Sequence, residues 1–280
     1  MPGWDNESIA EKLLEFADLL EQQDANPYRV GAYRRAARVV TAHPEPLTEL
    51  AAREGAEGLD RLPAIGRSIS HAIEELIETG HWAQLDRLRG RLDPEQLFRS
   101  IPGVGPGLAA ALHDTLEVET LAALEVAAHD GRLERVPGIG PRRARMIAAT
   151  LARMLQRRAP LPPPDTQAPP VDVLLDVDRE YRERAARGEL RRIAPRRFNP
   201  DGKPWLPILH TQRGDWQFTA LFSNTARAHE LGRTNDWVVL YHHTDHEPER
   251  QCTVVTETHG PLQGRRVVRG REAECRASST

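Results

Sequence analysis

The chemistry most plainly written into this chain lies in one five-residue phrase used three times: LPAIG at 62–66, IPGVG at 101–105 and VPGIG at 136–140, spaced 39 and then 35 residues apart. In each copy a proline interrupts an incoming helix, and the glycines permit the positive φ or close approach that a tight turn between antiparallel helices needs. A further helical segment follows each phrase: SISHAIEELIETG, GLAAALHDTL and RRARMIAATLARMLQ. The first N–H groups of such a helix have no partners within it, and a bare glycine backbone lets an anion come close to them. A phosphodiester fits that position. Such a contact touches no base, so it predicts nucleic-acid binding that tolerates any sequence and weakens with salt. The residues expected to make it are Gly66, Arg67 and Ser68 in the first copy, Gly103, Gly105 and Gly107 in the second, and Gly138, Gly140, Arg142, Arg143 and Arg145 in the third.

Charge supports a local footprint rather than a basic protein. The 280 residues hold 38 Lys+Arg against 41 Asp+Glu, a net of −3, and all but Lys12 and Lys203 of the basic residues are arginine. Residues 1–158 are acidic overall, with 20 basic and 24 acidic side chains, yet 134–158 carry seven arginines and one acid. Cations at the start of a helix oppose its macrodipole, and a bound anion offsets that cost.

Behind these residues stand the elements that must position them. Ala, Leu, Glu and Arg at helical spacing fill the first half; Trp, Val, Thr and Phe in short alternating runs fill the second. The segment APLPPPDTQAPP at 159–170 holds six prolines and reads as an extended spacer. The expected organisation is a helical domain over 1–90, a tandem-hairpin domain over 91–158, the linker 159–170, and a domain over 171–280. The fold class is therefore mainly α in the first half, followed by a small α+β, mostly antiparallel domain. No apolar run approaches the roughly 18–20 residues of a membrane span. The start, MPGWDNESIAEK, lacks a basic and then apolar leader, so a cytoplasmic location is expected, on the nucleoid if the source is bacterial. Cys252 and Cys275 are too few for a disulfide scaffold or a cysteine-based zinc site.

The phrases resemble helix-hairpin-helix motifs, and residues 8–158 are similar to the amino-terminal region of family X DNA polymerases, the polymerase beta-like group. NPYRVGAYRRAARVV at 26–40 is similar to the second helix of their small lyase domain, LPAIGRSISHAIEELIETG at 62–80 to its hairpin, and the later two phrases to the hairpin pair that follows. The resemblance implies DNA binding near gaps and ends, in DNA repair. It also implies a monovalent cation, K+ or Na+, held by the carbonyls of Leu62 and Ile65, Ile101 and Val104, and Val136 and Ile139. A 5′-phosphate pocket would map onto Arg29, Tyr33 and Ser68, with Arg34 and Arg35 on the same helix. The departures are specific. The lyase's Schiff-base lysine is Ala72 here, and no nucleotidyltransferase palm follows. The first hairpin has Ala64 where the others have Gly103 and Gly138, which loosens its approach to phosphate.

The second half carries less. A charged helix is expected over about 178–190, then the basic loop RRIAPRRFNPDGKPW. Strands are expected at 206–211, 216–222, 237–242, 251–258 and 265–270, with a short capped helix closing at Gly232. Trp216, Phe218, Ala220 and Phe222 should share one strand face. Asp176 and Asp178 would hold magnesium if they lay on a strand, and would cap the helix otherwise. HHTDHEPER, with His242, His243 and His246, reads as an exposed hairpin loop or a zinc cluster. His210 and His229 are candidates to face each other across a pocket with Arg227. Three functions remain open: a non-catalytic DNA-binding protein with repair partners, a DNA-processing enzyme with its site in 171–280, and a protein-interaction scaffold.

Overall fold

The computed structural model describes residues 4–91, 93–154, 168–245 and 249–277. Most of the Pro-rich linker lies outside the described residues, as do Arg157, Arg158 and His246. Among the described residues, no helix is long and apolar enough to cross a membrane.

Four helices form the first module: α1 (Asn6–Gln22), α2 (Pro27–Ala42), α3 (Leu47–Asp60) and α4 (Arg67–Thr79). Asp5 and Ser8 cap α1 reciprocally, and Asn26 accepts from the Tyr28 amide to start α2 at Pro27. Apolar side chains at helical spacing, such as Ile9, Leu13, Phe16 and Leu20, bury one face of each helix. After α5 (Ala83–Leu88) comes a second module of α6 (Pro94–Phe98), α7 (Pro106–Leu116), α8 (Leu121–His129), a 3-10 turn at Arg132–Arg135, and α9 (Pro141–Met154). This module has a core of its own, in which Ile101, Val104, Val136 and Ile139 pack with Leu112, Leu124, Ile147 and Leu151.

Beyond the linker the chain forms α10 (Val171–Ala186), β1 (Arg191–Ile193), β2 (Leu206–Arg213), β3 (Trp216–Phe222), α11 (Ala226–Glu230), β4 (Val238–His243), β5 (Arg250–Thr256), β6 (Arg266–Val268) and α12 (Glu272–Ala277). The six strands make one antiparallel sheet in sequence order. The expected class, a helical half followed by a small antiparallel α+β domain, is the observed one.

Strand alternation gives the sheet two occupied faces. Leu209, Phe218, Ala220, Val238 and Leu240 pack with Val171, Leu174, Val177 and Tyr181 of α10. Ile208, Leu221, Val239 and Tyr241 point the other way, into the core of the first helical module. The sheet thus lies over residues 4–88 with a shared apolar core, and it meets the second module through polar side chains such as Arg197 and Tyr241.

Several local expectations need correction. The charged helix begins at Val171, not 178, because Val171, Leu174, Val177 and Tyr181 repeat at the spacing that buries one helical stripe. Asp176 and Asp178 therefore sit inside a helix, two residues apart and facing different ways. Asp178 is fully buried and paired with Arg266 at 2.5 Å and Arg182 at 3.0 Å, while Asp176 pairs with Arg213 and Arg179. Neither caps the helix nor stands ready for a metal. The basic loop starts as a strand, β1, which sequence reading missed. His242 and His243 belong to β4 and are buried on opposite faces rather than exposed in a hairpin loop. His210 bonds Gln23 and Thr219, whereas His229 bonds Asn224, so the expected pocket between them does not form from these partners. Among the described residues, no group of three or more His, Cys, Asp or Glu is placed to hold a metal.

Candidate nucleic-acid interface

All three phrases fold into the same turn. The fourth residue's amide donates to the first residue's carbonyl: Ile65 to Leu62 at 3.1 Å, Val104 to Ile101 at 3.0 Å and Ile139 to Val136 at 3.0 Å. The third residue has positive φ, +61° at Ala64 and +85° at both Gly103 and Gly138. Pro in the second place and positive φ in the third are the signature of a type II turn. The last glycine then begins a helix. Gly66 and Gly105 are extended and offer no side-chain cap, unlike Asp5, Asn26, Asp93 and Thr120 elsewhere in the helical half. Opening amides are consequently left for an external acceptor.

The surroundings of the three turns differ. Gly105, Gly107, Gly138 and Gly140 are exposed, and a Cβ added at any of them would meet nothing within 4 Å. Gly103 lies against Met146 of α9, so the second and third hairpins are neighbours on one surface. Arg142, Arg143 and Arg145 are exposed in the opening turns of α9 and, among the described residues, form no ion pair. Arg143 and Arg145 donate only to the Gly138 and Pro141 carbonyls, at 3.3 Å each.

At the first hairpin Pro63, Ala64, Gly66 and Arg67 are exposed as well, but the sheet domain comes into contact beside them. A Cβ on Gly66 would meet the Asp245 carbonyl oxygen, in the β4–β5 connection, at 3.5 Å. Arg67 is exposed but Ser68 Oγ is buried, and so are Arg29 Nε and Tyr33 Oη; none of these three atoms has a hydrogen-bond partner among the described residues. Burial raises the Tyr33 phenol's pKa against the pull of the Arg29 charge. Arg34, by contrast, is committed to Asp18 at 2.9 Å and Glu21 at 2.8 Å. The structure thus brings Arg29, Tyr33 and Ser68 together and puts them under the sheet. Ala72, at the position of the family X lysine, is buried in the α4 core face.

Sequence reading missed the seam that holds the sheet. Arg87, 4% exposed, grips Glu249 with two bonds of 3.1 and 2.8 Å, and its guanidinium lies 3.2 Å from the Tyr241 ring centre. Tyr241 donates to the half-buried Glu119, whose carboxyl pKa burial raises. Arg197 donates to His113 Nδ1 at 2.9 Å and to Glu95 at 2.6 Å. Burial first, and the Arg197 charge second, push His113 down to about 3. No local pattern marks these residues, because each finds its partner across more than eighty positions of chain.

Two family models cover the helical half: residues 4–82 match a helix-hairpin-helix domain, and 95–153 match a SAM-like helix-hairpin-helix tandem. Among curated relatives, the Holliday junction branch migration complex subunit RuvA of Synechococcus elongatus is 31% identical over 160 residues, covering 53% of this chain and 76% of that protein. The chain belongs to the helix-hairpin-helix family that includes RuvA. RuvA of Methylobacterium radiotolerans is 33% identical, over 39% of this chain and 53% of its own length. The DNA polymerase/3′-5′ exonuclease PolX of Bacillus subtilis is 27% identical across 50% of this chain but only 24% of its own length. This helix-hairpin-helix protein therefore has relatives in both groups, and the family X resemblance is one branch of a wider likeness. The two family models between them contain all three turns.

Proposed function

We propose that this protein binds the DNA backbone without regard to sequence, through its second and third hairpins, and acts in recombination or repair on gapped, nicked or branched DNA. One observation carries the reading. Two adjacent turns of identical geometry present uncapped helix starts and open glycines, with three exposed arginines beside them. A helix start supplies oriented N–H donors and a partial positive charge, and each arginine adds a phosphate contact. The relatives' names, a Holliday junction branch migration complex subunit and a DNA polymerase/3′-5′ exonuclease, favour the same class of partner.

The hairpin carbonyls fit a supporting role. Leu62, Ile101 and Val136 each use their carbonyl in the turn bond, which leaves a second lone pair, together with Ile65, Val104 and Ile139, for K+ or Na+. No lyase step is assigned, because Ala72 has no amine to attack an aldehyde. Borohydride trapping on abasic DNA tests this, with no covalent adduct expected.

The direct test is binding to single-stranded, duplex, nicked and 5′-phosphorylated gapped DNA at several salt concentrations. Replacing Arg142, Arg143 and Arg145 together with Ala should lower affinity by roughly tenfold or more and make the slope of log affinity against log salt shallower by about three. Salt-insensitive or absent binding by the unaltered protein would overturn the reading.

A further inference from the structure

The basic loop between β1 and β2 plays no part in the hairpin surface, yet it is built like a nucleic-acid contact. Residues 191–204 hold four arginines and Lys203 against a single acid, Asp201; Arg191, Arg197 and Lys203 pair with Asp24, Glu95 and Asp201, while Arg192 and Arg196 are exposed and, among the described residues, form no ion pair. At its centre Phe198 is 47% exposed and held at φ +52°. For a bulky residue that conformation is strained and persists only where the surroundings impose it.

Here they do. The Arg196 amide donates to the Gly90 carbonyl at 2.7 Å, and any side chain at Gly90 would collide with the Ala194 carbonyl. Arg197 reaches α6 and α7 through Glu95 and His113, and its guanidinium lies 5.2 Å from the Phe198 ring centre. The ring itself stacks on His229 with centres 4.3 Å apart, and Trp205 meets His229 edge-on. His229 donates to Asn224 at 2.6 Å, which fixes its plane, and burial lowers its pKa, which favours the neutral ring. A half-exposed aromatic thus leans on a hydrogen-bonded histidine at a tilt of 36°, beside the exposed Arg196, and its loop is tied to the two helices of the second hairpin. From Gly105 to His113 the distance along α7 is about 12 Å at 1.5 Å per residue. Arg197, bonded to His113, thus anchors the loop that carries Phe198 about two turns along α7 from that hairpin.

We propose that Phe198 is a stacking platform for an unpaired nucleobase, placed to receive single-stranded DNA next to a duplex held by the second and third hairpins. Every base has an aromatic face, so such a platform selects for an unpaired base rather than for a sequence. The proposal rests on the hairpins holding the adjoining duplex.

The test uses the full-length protein and two DNAs that differ only in a short single-stranded gap, one gap base being 2-aminopurine. The unaltered protein should prefer the gapped DNA and quench the probe. Phe198→Gly keeps the positive φ at no strain, so it removes the ring without disturbing the loop. It should cut the gapped-over-duplex preference on the order of tenfold and abolish the quenching, with duplex affinity changed by less than about twofold. Phe198→Tyr should restore both. An unchanged preference and quench in Phe198→Gly overturns the platform alone; failure of the unaltered protein to bind either DNA overturns the hairpin reading instead.

Discussion

The first hairpin and the pair formed by the second and third have the same turn, the same bond between its ends and the same glycine start to the next helix, yet they meet different neighbours. All three last glycines are exposed, but a Cβ on Gly66 would touch a carbonyl of the sheet domain at 3.5 Å, whereas one on Gly105 or Gly140 would meet open space. A binding motif is a local structure, but access to it is a property of the whole fold. The contrast extends to the cores: the first module shares its apolar interior with the sheet, and the second keeps its own.

Acid should disturb this contrast most. Burial pushes His113, His242 and His243 each down to about 3, so between the unfolded value near 6.5 and pH 3 the unfolded chain takes up protons that the folded one refuses. Stability is fully present above about pH 6.5 and falls with decreasing pH, by up to about 1.4 kcal/mol per unit for each histidine. Two of the three, His113 and His243, belong to the side of the molecule where sheet meets helices. Melting temperatures measured from pH 8 to 4 should drop steadily below 6.5; a flat profile would place these side chains in water.

Next in size, Arg87→Ala leaves Glu249 buried without its cation and should cost about 3–5 kcal/mol in denaturant unfolding. If the sheet domain beside the first hairpin is what silences it, this variant should also gain DNA contacts there. Smaller still is the effect on DNA of Gly105→Glu with Gly140→Glu, which puts acid at both open helix starts and should weaken duplex binding roughly a hundredfold in low salt. Gly66→Glu, tested by the same titration, should change it by less than about threefold. Least of all, Ala64→Gly relieves a positive φ and should stabilise by about 1 kcal/mol without changing DNA affinity.

How much of this was legible depends on how local each cause is. The three turns could be read because proline and glycine dictate their geometry within five residues. The strands could be read because one face alternates; β3 falls at the expected 216–222. β1 was hidden because Arg191 and Arg192 lead only to Ile193, too short and too charged to show alternation. α10 was misplaced because VDVLLDVD reads as strand-like by its branched residues, and only packing against Phe222 and the sheet decides for Tyr181 and the helix. The sheet over Arg29, Tyr33 and Ser68 had no sequence signal at all, since Asp245 and Tyr241 lie on the far side of the linker. Arg34 looked available from its helix position, but Asp18 and Glu21 take it.

The central claim is that the helix starts at the second and third hairpins, and not the first one with the sheet domain beside it, receive DNA phosphate. Amide hydrogen exchange with and without duplex DNA tests it residue by residue. The account predicts new protection at Gly105, Gly107, Gly140 and Arg142 and none at Gly66, Arg67 and Ser68. Protection at the first hairpin equal to that at the other two would contradict it.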